Sequence, residues 1–69
     1  MDVARAYRDA LARDPRHVEA ANGLWRCLAI LGRGDEAREA ALRFLDLAPT
    51  HPDGVDAEAF LGLAPGETR

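Results

Sequence analysis

The chain has 69 residues, a net charge of −3, nine arginines, no lysine and a single cysteine. That length holds one small domain, and the acidic balance argues against a nucleic-acid binder driven by phosphate contacts. No run approaches 18 apolar residues, so nothing in it spans a membrane as a helix, and Cys27 has no partner for an internal disulfide.

Composition also bounds stability. The apolar fraction is 48%, but much of it is alanine, which favours helix and buries little area. Ordering costs about 1.5 kcal/mol per residue, and burial at about 25 cal/mol/Å² barely offsets that in so short a chain. Tight helix packing or self-association must supply the remainder, and a homo-oligomer, a dimer, is the expectation. The exclusive use of arginine reads either as a GC-rich coding bias or as bidentate carboxylate recognition. Met1–Arg5 lacks the apolar run of an export signal, which with the lone cysteine points to the cytoplasm.

The first helix is expected over residues 2–13, with Asp2 as N-cap. Val3, Tyr7, Ala10 and Leu11 share its inner face, and Asp14-Pro15 ends it. A second helix runs over residues 18–31, its stripe formed by Val18, Ala21, Leu24, Trp25, Leu28 and Leu31. His17 stands at its N-cap position. Gly23 interrupts it at a cost of about 1 kcal/mol against alanine, which implies close approach of a neighbouring helix. Gly32 suits the left-handed cap that ends it.

Asp35 is the expected N-cap of a third helix reaching Ala48, with Ala37, Ala40, Ala41, Phe44, Leu45 and Ala48 inside. Leu42 and Leu47 fall off that face, as plain exposed residues or as a second contact surface. Thr50 and Asp53 fit a capping box for a short fourth helix from about Pro52 to Leu61 or Gly62. It presents Val55, Ala59, Phe60 and Leu63. A single helical domain over residues 1–64 and a frayed tail over 65–69 follow.

A repeat organises these elements. Pro15 and Pro49 lie 49 − 15 = 34 apart, and the same offset pairs His17 with His51, Leu11 with Leu45 and Val3 with Ala37. Tyr7 then falls on Ala41 and Ala10 on Phe44, so large and small residues trade places between layers. With Leu24, Leu28, Gly32, Ala37, Leu45 and Pro49 at their positions, the chain resembles the tetratricopeptide repeat (TPR) family, a 34-residue helix–turn–helix. The full repeat covers about 18–51. It departs from the family pattern at Trp25, where a small residue is usual, and at Ala21, where an aromatic is. A third unit fits poorly, with Glu58 in place of leucine.

The resemblance implies an all-α stack of antiparallel helical hairpins, one and a half to two repeats in four helices, the last one short. It also implies a partner-binding groove lined by the first helix of each unit, here Glu19, Asn22, Arg26 and Arg33. Asn22 and Arg26 are i, i+4 neighbours able to address one carboxylate or peptide backbone; the plain alternative is a solvated face. Trp25 reads as core or as an interface anchor, and Trp25, Leu42, Leu47 and Phe60 are the candidate oligomer contacts.

Cys27 reads as a small buried hydrophobe or a reactive thiol, His17 and His51 as loop caps rather than zinc ligands. No catalytic constellation, cofactor loop or metal cluster emerges: there is no serine, and Gly32-Arg33-Gly34 follows a helix and is followed by acids. The function expected is a non-catalytic, self-associating protein-interaction module. A small accessory subunit that docks on a larger enzyme is the alternative.

Overall fold

Four helices make up the fold in a computed structural model that describes residues 3–62: α1 (Val3–Arg13), α2 (Val18–Ile30), α3 (Gly34–Leu47) and α4 (Gly54–Leu61). Each packs against its neighbour in the chain, in a body of 34 × 25 × 16 Å. The all-α arrangement of four helices, each packed on its neighbour, that the resemblance implied is the observed architecture, and among the described residues no helix is long and apolar enough to cross a membrane. Asp2, Leu63 and the 65–69 tail lie outside those residues.

The core forms where small and large side chains interlock. Ala4 and Leu11 of α1, Ala20, Ala21, Leu24, Trp25 and Leu28 of α2, Ala37, Ala40, Ala41, Phe44 and Leu45 of α3, and Ala57 and Leu61 of α4 make one cluster. Phe44 and Leu28 are its largest fully buried side chains. Gly23 shows why α2 tolerates a glycine. A Cβ there would collide with the Tyr7 ring at Cζ, so the missing side chain is the seat of that ring.

The hairpin turn is set by local chemistry. Gly32 adopts φ = +77°, and its N–H reaches the Ala29 carbonyl while Arg33 N–H reaches that of Leu28, a Schellman closure. The chain reverses so tightly that α3 begins at Gly34, with Arg33 at the N-cap and no side-chain cap. Asp35 is therefore inside the first turn rather than capping it, where it and Glu36 face the positive end of the helix dipole. Leu31 becomes the C-cap of α2 and is 55% exposed, not part of the buried stripe.

His17 and His51 both cap backbone. Nδ1 of His17 accepts from Ala20 N–H at 3.1 Å, and Nδ1 of His51 from Asp53 N–H at 3.0 Å. The edge of the His51 ring also meets Phe44, with centroids 5.2 Å apart.

Three inner faces differ from expectation. Val3 is 51% exposed and Ala4 buried, because the row facing α2 is Ala4, Tyr7 and Leu11, and Val3 stands one residue, about 100°, away. Leu47 is half-buried against the core instead of lying off it. In α4 the buried side is Gly54, Ala57, Glu58 and Leu61, while Val55, Ala59 and Phe60 turn outward. The Thr50 capping box does not form: α4 starts at Gly54, and the Asp53 carboxylate makes no cap because it is engaged with α2.

Candidate functional site

The expected groove residues lie along α2 and just beyond its end, and their partners are within the chain. Asn22 is only 7% exposed. Its Nδ2 donates to Asp53 Oδ2 at 2.9 Å, and its Oδ1 accepts from Trp25 Nε1 at 3.0 Å and from Arg26 Nε at 3.3 Å. Two donors on one side and a carboxylate on the other fix which way the amide points. A buried amide left unpaired is costly, and here both of its ends are satisfied.

Arg26 extends the same network. Its guanidinium donates to Asp56 Oδ2 at 3.0 Å, lies 3.9 Å from Asp53 Oδ2, and sits 4.9 Å from the centroid of the Trp25 ring. The Trp25 ring in turn meets Phe60, with centroids 5.2 Å apart and planes at 34°. Trp25 is 5% exposed. The i, i+4 pair Asn22 and Arg26 does address carboxylates together, as its spacing predicts, but they belong to Asp53 and Asp56. Asn22 is therefore closed to an outside partner, whereas the Arg26 side chain, 41% exposed, stays reachable from solvent beside Asp56. Trp25 is core rather than a surface anchor.

The outer two groove candidates keep exposed side chains. Glu19 lies 3.7 Å from Nε2 of His51, with its side chain 77% exposed. Arg33 holds Glu36 at 2.9 Å, and Arg8 reaches the same Glu36 Oε2 at 3.1 Å. That oxygen is enclosed and neutralised by two ion pairs without a well-aligned hydrogen bond. Of the candidate oligomer contacts, Leu42 is 50% and Phe60 36% exposed, while Leu47 is largely covered. Cys27 is half-buried against the core.

An open surface does exist on the α1–α3 side of α2. A cleft of about 450 Å³ has Leu11, Leu24, Leu28 and Ala40 among its lining residues. Arg8, Glu36, Glu39 and Arg43 bring both signs of charge to it, and Ala12 also lines it. Sequence reasoning did not single this cleft out, since its lining comes from three helices and its apolar members read simply as core. Among the described residues, no group of three His, Cys, Asp or Glu side chains is placed to hold a metal ion.

Comparison with protein-family models, with curated proteins and with solved structures returns no significant match. The arrangement has to be read from its own geometry. Chemically it offers a polar latch that joins α2 to α4, and a cleft floored by buried apolar side chains and bordered by charges of both signs.

Proposed function

We propose that this chain is a non-catalytic protein-interaction module of the tetratricopeptide-repeat kind, one and a half to two repeats long, which self-associates and works in the cytoplasm. The observation that carries the reading is the recurrence of the 34-residue period in the backbone. Helix α1 ends at Arg13 and α3 at Leu47, 47 − 13 = 34 residues on. The capping histidines His17 and His51 keep the same spacing, and the paired Leu11 and Leu45 are 6% and 4% exposed. Successive supersecondary units stacked on a shared core are the pattern of a helical repeat, here with fewer units than the three or more such arrays usually hold.

The partner surface in this reading is the cleft over Leu24 and Leu28, since Asn22 and Arg26 are committed to α4. Its exposed lining is Ala12 with Arg8, Glu39 and Arg43, which suits a polar peptide segment bearing a carboxylate for Arg43. The test uses Ala12, an exposed residue lining the cleft. Proteins retained by the wild-type chain from an extract of its source are expected to be lost on Ala12→Arg, with helicity unchanged by circular dichroism. Retention that ignores Ala12→Arg would remove the cleft as the partner site. A second reading, an accessory subunit docked on a larger enzyme, is favoured by the 50% exposure of Leu42 on α3. It predicts a partner captured independently of Ala12 and released by Leu42→Glu.

A further inference from the structure

His51 sits where three helices meet. It lies in the turn between α3 and α4, the edge of its ring meets Phe44 of α3, and its Nε2 lies 3.7 Å from Glu19 Oε1 of α2. Its Nδ1 accepts from Asp53 N–H at 3.0 Å. Only an unprotonated ring nitrogen accepts a hydrogen bond, so the ring in this arrangement is neutral and carries its proton on Nε2.

Asp53 is held from two sides. Its backbone N–H goes to His51, and its Oδ2 accepts from Asn22 Nδ2 at 2.9 Å. It is the N-cap of α4, so these two bonds tie the start of that helix to the turn and to α2. Beyond it, the Arg26–Asp56 ion pair and the Trp25–Phe60 contact complete the docking of a helix of eight residues, too short to hold itself together.

A second proton on the ring removes the acceptor. An Nδ1–H would face the Asp53 N–H, donor against donor, so the ring must turn away or Asp53 must move. The charged groups facing the ring are Glu19 from α2 and Asp53 at the start of α4, whereas α3 presents the uncharged Phe44. The Asp53 carboxylate is engaged with Asn22 and has Arg26 3.9 Å away. Glu19 attracts an imidazolium, but its side chain is 77% exposed and water and salt screen the pair. Loss of the acceptor therefore outweighs the gain in attraction. The other bonds of the turn, from Gly54 N–H to the His51 carbonyl and from His51 N–H to the Ala48 carbonyl, involve no titrating atom, so the turn persists as a hinge.

We propose that His51 is a proton-operated latch for α4. Neutral, it seats Asp53 and with it α4 on α2. Protonated, it lets α4 swing out about the α3–α4 turn, which uncovers Trp25 and frees Asn22 and Arg26 from Asp53 and Asp56. Docking is thus complete at the higher pH and is lost as pH falls through the imidazole range. The latch is independent of the cleft, whose lining residues come from α1, α2 and α3.

Trp25 is the only tryptophan in the chain and is 5% exposed, so it reports on the docking of α4 directly. Taking the wild type from about pH 8 to about pH 5 spans the titration of imidazole and stops short of the ordinary carboxylate range. Over that span the Trp25 emission should shift to the red and its quenching by acrylamide should rise, while circular dichroism shows α1–α3 still helical. His51→Asn keeps an acceptor oxygen in the place of Nδ1 and does not titrate, and it should hold the pH 8 emission throughout. His51→Phe keeps a ring against Phe44 without an acceptor, and it should be red-shifted already at pH 8 with no further response. His17 caps α2 by the same use of Nδ1, so His17→Asn is the control and should keep the wild-type response. A wild-type emission that is the same at both ends of the range overturns the proposal. So does a response that survives in His51→Asn, or one that His17→Asn abolishes.

Discussion

At the junction of α1 with α2, the Tyr7 ring occupies the space a side chain on Gly23 would need, beside the buried Ala4 and Leu11. At the junction of α4 with α2, the aromatic contact of Trp25 with Phe60 is accompanied by Asn22, Arg26, Asp53 and Asp56 in a connected polar network. Amphipathicity explains the difference. Helix α1 has a clear apolar row of Ala4, Tyr7 and Leu11 that fixes the side it turns to α2, although its eleven residues are also too few to be stable alone. Helix α4 has eight residues, too few to be stable alone, and apolar side chains on both its buried and exposed sides. Hydrophobic burial is non-directional and leaves the rotation of such a helix open. Directional hydrogen bonds to Asp53 and Asp56 select one rotation, and they carry Ala57 and Leu61 inward with them.

Breaking the aromatic half of the α4 junction should have the largest effect. Trp25→Ala removes a buried indole that touches Phe60, Arg26 and Asn22, and truncations of this kind cost about 3–5 kcal/mol. The urea midpoint should fall accordingly, with α4 amides losing exchange protection before those of α1. A loss below about 1 kcal/mol would mean that Trp25 is not the anchor of α4, since that is the scale of an ordinary surface change.

The polar half can be cut separately. Asp53→Ala strips the acceptor from Asn22 Nδ2, and an orphaned buried donor costs about 1–3 kcal/mol. The site is only part-buried, so water should hold the loss near the lower figure. Exchange should accelerate in α4 and leave α1 unchanged; equal acceleration in both helices would show that the two junctions are not independent.

The smallest and most diagnostic effect belongs to the α1 junction. Alanine is favoured over glycine in a helix by about 1 kcal/mol, so Gly23→Ala on a Tyr7→Ala background should stabilise the fold by roughly that amount. With Tyr7 present the new Cβ meets the ring, and the gain should be cancelled or reversed. A double-mutant cycle measures the coupling. Strict additivity would rule out the Tyr7–Gly23 seat as the basis of this junction.

Much of this architecture is legible in the residues because its cues are local. Pro15 after the first helix, Gly32 at the left-handed turn, and the Leu24–Leu28 stripe each act within a few positions, and the helices end where those cues lie. Gly23 was legible in kind, as a site of close approach, but the identity of its neighbour depended on how α1 lies across α2. The inner face of α4 was not legible, because Val55, Ala57, Ala59, Phe60 and Leu61 offer apolar side chains around the helix. The fate of Asn22 and Arg26 was hidden for another reason. Their i, i+4 spacing announces a shared carboxylate, yet Asp53 stands 31 residues beyond Asn22 and Asp56 stands 30 beyond Arg26.

What the chain's own sequence determined was a set of helices, their turns and a 34-residue period, all consequences of backbone preference and side-chain spacing within a single unit. Only the tertiary structure decided which surfaces remain open. Packing α4 beside α2 buries Asn22 and ties Arg26 to Asp56, while Glu19, Arg26 and Arg33 keep exposed side chains and a cleft bordered by Ala12, Glu39 and Arg43 opens between α1 and α3. The physical reason is that a polar side chain's spacing shows only what it is able to bind, whereas its partner is whichever complementary group the packed helices bring within reach.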